Sequence, residues 1–127
     1  PGLTLLNEIE GSGVPAEKGA TVRYVCRVFL NRGEEVTPDS AVIDRAWEHL
    51  EITTIDNTEF VVHTARLGRR QPIAGIEKSL YGMRRGGYRE VLVSPHLAYG
   101  ESGVPGRIPR NALLRLQLWV EDVVAPD

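Results

Sequence analysis

Within Leu113 to Val124 apolar and polar residues alternate, with Leu114, Leu116, Leu118 and Val120 on one side and Arg115, Gln117 and Glu121 on the other. A period of two puts one face of a strand in a core and the other in water, so this segment needs a sheet around it. Thr21 to Leu30 repeats the pattern: Val22, Tyr24, Cys26, Val28 and Leu30 face one way, Arg23 and Arg27 the other. The turn-rich GSGVPAEKG leads into it. Further strands are expected at about Glu59 to Leu67 and at Tyr88 to Ser94. Between those two, GIEKSLYGM sets Ile76, Leu80 and Met83 at helical spacing, and Gly82 stands where a helix would end. The apolar stripe of so short a helix packs most simply on a sheet. The expected fold class is therefore α+β, a curved antiparallel β-sheet wrapped over one short α-helix. Pro38 to about Val62 fits this plan less well and reads as an insertion, in which AVIDRAWEHL can form a helical turn or two capped by Asp39 or Ser40.

With 127 residues, 42% of them hydrophobic and 25% charged, the chain has apolar material for one core, and residues 1–127 read as a single domain. No apolar run is long enough to cross a bilayer, and the N-terminal residues lack the basic-then-apolar pattern of a signal peptide. A cytoplasmic protein without membrane association is the expectation. The net charge of −2 hides an asymmetry: residues 1–60 hold 11 acids and 5 bases, residues 61–127 hold 6 acids and 10 bases. Halves of −6 and +4 are expected to pair across a compact fold, and a nucleic-acid partner is not expected.

Several catalytic chemistries find no support in the residues. Gly100, Gly103 and Gly106 lack the following helix of a phosphate cradle, since Pro105 and Pro109 oppose one, and no GxSxG elbow is present. His49, His63 and His96 have no metal-ligand spacing, and the single Cys26 adds no zinc set, so neither metal nor cofactor is expected. Cys26 lies on the apolar side of its strand, where a cysteine is usually a small core hydrophobe.

What remains is GMRRGGYREVLVSPHLAYGESGVPGRIPRNALLRLQLWVEDV. It carries, in order, Gly82-Met83, Gly86-Gly87, Ser94-Pro95, Leu97-Ala98-Tyr99-Gly100, Gly103, Pro105-Gly106, Ile108-Pro109, Asn111-Ala112 and Leu114. This series resembles the C-terminal signature of the FKBP-type peptidyl-prolyl isomerases. Upstream, GSGVPAEKGATVRY is similar to that family's opening segment and first long strand, LNRGEEV to its hairpin, and LGRRQPIAGIEKSLYGM to the stretch through its short helix. The resemblance covers nearly the whole chain except Pro38 to about Val62, where a typical member is shorter.

The resemblance implies a pocket for an X-Pro amide, and with it a set of residues. Tyr99 matches the tyrosine whose hydroxyl holds a ligand carbonyl, Ile73 the residue whose backbone N–H does the same, and Ile108 an apolar wall; these three are the implied catalytic residues. Elsewhere the family's pattern is changed. Cys26 stands for a tyrosine, Val36 and Thr37 for a phenylalanine and an aspartate, Ile76 for the floor tryptophan, Leu116 and His63 for phenylalanines. With Val104 of the loop, they make up the implied substrate-binding set. Two outcomes stay open for so aliphatic a pocket. It is either a weak isomerase for proline-containing peptides or proteins, or a non-catalytic protein-binding or chaperone module, with Val42, Ile43, Ala46, Trp47 and Leu50 as a client face. Macrolides of the rapamycin class are expected to bind poorly. In the family's fold Arg69, Arg70, Arg107 and Arg110 flank the mouth, a basic rim suited to acidic partners.

Overall fold

The computed structural model describes residues 2–36, 51–69 and 74–126. Its elements are β1 (Leu3–Ile9), β2 (Thr21–Leu30), β3 (Glu35–Val36), β4 (Glu51–Ile55), β5 (Thr58–Arg66), helix α1 (Ala74–Leu80), β6 (Tyr88–Val93) and β7 (Leu114–Val124). The strands form one sheet in the order β1-β6-β7-β2-β5-β4, with β3 paired to β2. Every pairing is antiparallel. The α+β architecture expected from the sequence is the one observed, and the four expected strands and the helix fall within a residue or so of their expected limits.

The two most regular segments lie side by side at the centre. β2 and β7 pair from Thr21 with Val124 to Leu30 with Leu114, so Leu114, Leu116 and Leu118 meet Leu30, Val28 and Cys26 on the inner face. Leu114, Leu116 and Leu118 are fully buried there. The register shifts between Arg23 and Tyr24, whose partners are Asp122 and Val120, which leaves Glu121 as the extra residue of a bulge. Strict alternation would have turned Asp122 inward; the bulge brings in Val123 instead, which is buried.

Helix α1 closes the inner face with Ile76 and Leu80, and Met83 just beyond it is buried too. A Cβ on Gly75 would stand 2.5 Å from Val93 Cγ1, so glycine is what lets the helix lie close on β6. The segment around Ala16 ties down the helix end: Ala16 N–H donates to Met83 O and Gly82 N–H to Ala16 O, each at 2.8 Å. From β6, Arg89 donates to the carbonyls of Ser79 (2.9 Å) and Tyr81 (2.6 Å) and pairs with Glu8 of β1 (2.6 Å). A cation thus satisfies the carbonyls left open where the helix ends. The Glu8–Arg89 pair also joins the acidic and basic halves of the chain, whereas Arg27–Glu35 and Arg115–Glu90 each lie within one half.

Two strands, β1 and β4, are additional to those expected. β1 is an edge strand whose residues after Leu3 are all exposed, so it carries no alternation to read. β3 is the two-residue return strand of the expected LNRGEEV hairpin, paired with Val28 and Phe29 of β2. β4 lies inside the span read as an insertion: residues 51–62 are β4 and the first part of β5, joined through Asp56 and Asn57 at φ 49° and 64°. Positive φ at both loop residues is the two-residue hairpin turn that matches strand twist. The helical turn expected in AVIDRAWEHL, and the client face with it, lie outside the described residues.

Candidate functional site

Tyr99 and Ile108 sit on the long connection from β6 to β7, which is bonded to itself along its length. Leu97 N–H donates to Ser94 O, Ala98 and Gly100 N–H to Pro95 O, Gly103 N–H to Tyr99 O and Asn111 N–H to Gly100 O, all at 2.8–3.0 Å. Val104 and Ile108 exchange two backbone hydrogen bonds of 2.8 Å and close the tip. Gly103 is required at the fold-back: its φ is +59°, and a Cβ there would lie 2.4 Å from Ile108 O. The loop is therefore shaped before any ligand arrives. It sends the side chains of Leu97 and Ile108 into the core and leaves Tyr99 36% exposed.

Other elements contribute implied pocket residues to the same core. Ile76 of α1, Ile108 of the loop and Leu116 of β7 belong to one apolar cluster, and Cys26 of β2, Val36 of β3 and Val104 pack against it half-buried. β3 is held by its neighbour. Arg27 of β2 makes a two-pronged ion pair with Glu35, Nε to Oε2 and Nη2 to Oε1, both 2.8 Å. This hydrogen bonding lowers the Glu35 carboxyl below its ordinary range and raises Arg27. The same guanidinium lies 5.2 Å from the Phe29 ring centre and 5.4 Å from that of Phe60. Val36 is thereby set beside the core by its neighbour's charge.

His63 of β5 is exposed yet on the inner side of the sheet, directly paired with Tyr24 of β2. Ile73, Thr37 and Arg70 lie outside the described residues. Arg69, Arg107 and Arg110 are exposed.

The interior of this region is uncharged at neutral pH. Burial pushes the Cys26 thiol up to about 12, so it stays protonated and is no nucleophile. Tyr24 is also pushed up to about 12, first by burial and then by the nearby Cys26 sulfur. Burial lowers the His63 imidazole from 6.5, which keeps it neutral. Among the described residues no group of three His, Cys, Asp or Glu side chains is placed to hold a metal ion, and no helix is long and apolar enough to cross a membrane. The arrangement suits holding an apolar group and dehydrating what is attached to it.

Tyr24 is the residue that sequence reasoning left out of the site. It was seen as an inner-face residue of β2, but only its pairing with His63 shows that aromatic surface persists two residues from Cys26.

The model of the FKBP-type peptidyl-prolyl cis-trans isomerase family matches residues 13–119. FK506-binding protein 2A of Rhizopus delemar is 30% identical over 123 residues, which are 95% of this chain and 63% of the relative. Human peptidyl-prolyl cis-trans isomerase FKBP9 is 31% identical over 99 residues, 69% of this chain and 17% of the relative. FK506-binding protein 4 of Chaetomium thermophilum is 47% identical over 51 residues, 40% of this chain and 10% of that protein. The chain thus spans only part of the relatives it matches.

Proposed function

Because the chain belongs to the FKBP-type peptidyl-prolyl isomerases, we propose that it catalyses cis-trans rotation of X-Pro bonds in polypeptides through a pocket whose lining is mostly aliphatic. The observation that carries this reading is the preshaped loop, which leaves Tyr99 partly exposed and buries Leu97 and Ile108 in the same apolar cluster as Ile76 and Leu116.

The chemistry asks for little more. Rotation about the amide costs about 18–20 kcal/mol because the C–N bond has partial double-bond character. No bond is made or broken, so the pocket needs neither nucleophile nor metal. It has to favour the twisted amide over the planar forms. An apolar floor around the proline ring removes water from the amide and disfavours its charge-separated resonance form, while a donor such as the Tyr99 hydroxyl fixes a neighbouring carbonyl. The protonated Cys26 thiol and neutral His63 add no charge that would draw water back. Leucine and isoleucine make fewer contacts than aromatic rings, so turnover is slow.

Two features of specificity follow from the same lining. Exposed Arg110, with Arg107 and Arg69, favours an acidic residue beside the proline. The aliphatic floor offers a macrolide ring no stacking partner, so macrolide affinity is low. The test is catalysed isomerisation of a short proline peptide, compared with the Tyr99→Phe and Ile108→Ala variants. A domain that binds the peptide without accelerating it is a binding module.

A further inference from the structure

Three hollows adjoin one another beside Leu30. They measure about 270, 210 and 240 Å³. The first and second share Arg32 and Pro109, and the first and third share Glu34 and Arg107. Together they form one trough between the tip of the β2–β3 hairpin and the turn at residues 104–109. Ile108 lines the first hollow and Val36 the third, so the trough begins at two residues of the proposed X-Pro pocket. At its far end lie Ala112 and Leu113.

We propose that this trough is a second contact for the polypeptide substrate and seats one apolar side chain two to four residues away from the proline, an inference that rests on the X-Pro reading of the neighbouring pocket. A polypeptide does not stop at the proline. An extended chain advances at most about 3.3–3.6 Å per residue and turns alternate side chains to the same side. A chain leaving the pocket past Val36 and Ile108 therefore lays its next side chains along Leu30 and Leu113. The apolar guest belongs in the second hollow, lined by Leu30, Pro109, Ala112 and Leu113. Charged side chains wall much of the other two, where Glu34 pairs with Arg32 at 2.9 Å and Glu35 with Arg27 at 2.8 Å.

The experiment takes the whole chain, isotope-labelled, and titrates it with two proline peptides that differ only in Leu or Gly three residues from the proline. Expected are amide shifts at Asn31 to Glu34 as well as at Tyr99, and about fivefold tighter binding of the Leu peptide, in keeping with partial burial of one leucine side chain. In Leu113→Ser that preference falls below about twofold while the Tyr99 shifts persist, which shows the variant folded. Shifts at Tyr99 with none at Asn31 to Glu34, or a Leu preference unchanged in Leu113→Ser, would overturn the trough and leave the pocket standing. Absence of any shift at either place would overturn both.

Discussion

The rings of Tyr24 on β2 and His63 on β5 meet at 5.5 Å between centres and 34° between planes, from directly paired positions on the inner face of the sheet. The pairing gives His63 a measurable consequence. Its imidazole titrates below 6.5 in the folded protein because burial disfavours the charged form. Between the folded value and 6.5 the unfolded chain binds more protons, so stability rises with pH across that window and falls as the solution is acidified through it. His63→Gln is expected to flatten the fall that sets in as the pH drops through about 6.5 in urea-midpoint measurements, and an unchanged slope would remove His63 as its source.

Gly103→Ala tests whether the loop is preshaped. The substitution places a methyl at a positive φ and against the backbone of Ile108 and Pro109. It is expected to cost about 1–3 kcal/mol of stability and to lower peptide affinity in the fraction that remains folded. A variant with unchanged melting temperature would mean that the tip relaxes without loss.

The rim is tested by charge. Of two peptides differing only in Glu or Lys beside the proline, the Glu peptide is expected to bind more tightly at low salt. The difference should shrink as salt is added, because exposed charges are screened over about 8–10 Å at physiological ionic strength. Arg110→Glu should reduce or reverse it. Equal affinity at low salt would leave the arginines as ordinary surface residues.

Macrolide binding probes the lining directly. Ile76, Cys26, Val36 and Leu116 provide contact without ring stacking, so calorimetry with a rapamycin-class macrolide is expected to show no submicromolar binding. Tight binding would mean that the vacated aromatic positions matter little.

Much of this was legible in the sequence because the central strands alternate cleanly. β2 and β7 bury most of the alternating apolar residues of their inner face, which supply much of the core, while the residues between them are half-buried apart from the buried Val25. The ordered glycines and prolines of the 94–112 segment marked the loop in the same way, since Gly103 at φ +59° has no room for a Cβ beside Ile108 O. β1 was not legible, because an exposed edge strand has no inner face to write into its pattern. β4 is less legible for a different reason: Asp56-Asn57 between EITTI and TEFVV makes a two-residue hairpin turn without the glycine that usually marks one. The Tyr24–His63 pair depends on strand register, which no local pattern specifies.

The most direct measurement is the rate of cis-trans isomerisation of a short X-Pro peptide with the wild-type chain, Tyr99→Phe and Ile108→Ala side by side. Expected is a measurable wild-type acceleration, with Tyr99→Phe weakening substrate binding and Ile108→Ala lowering turnover, each by about tenfold, the worth of one hydrogen bond or of a truncated apolar wall. Acceleration that is indifferent to both substitutions, or no acceleration by a folded wild-type protein that binds the peptide, would contradict the assignment of this pocket as the catalytic one.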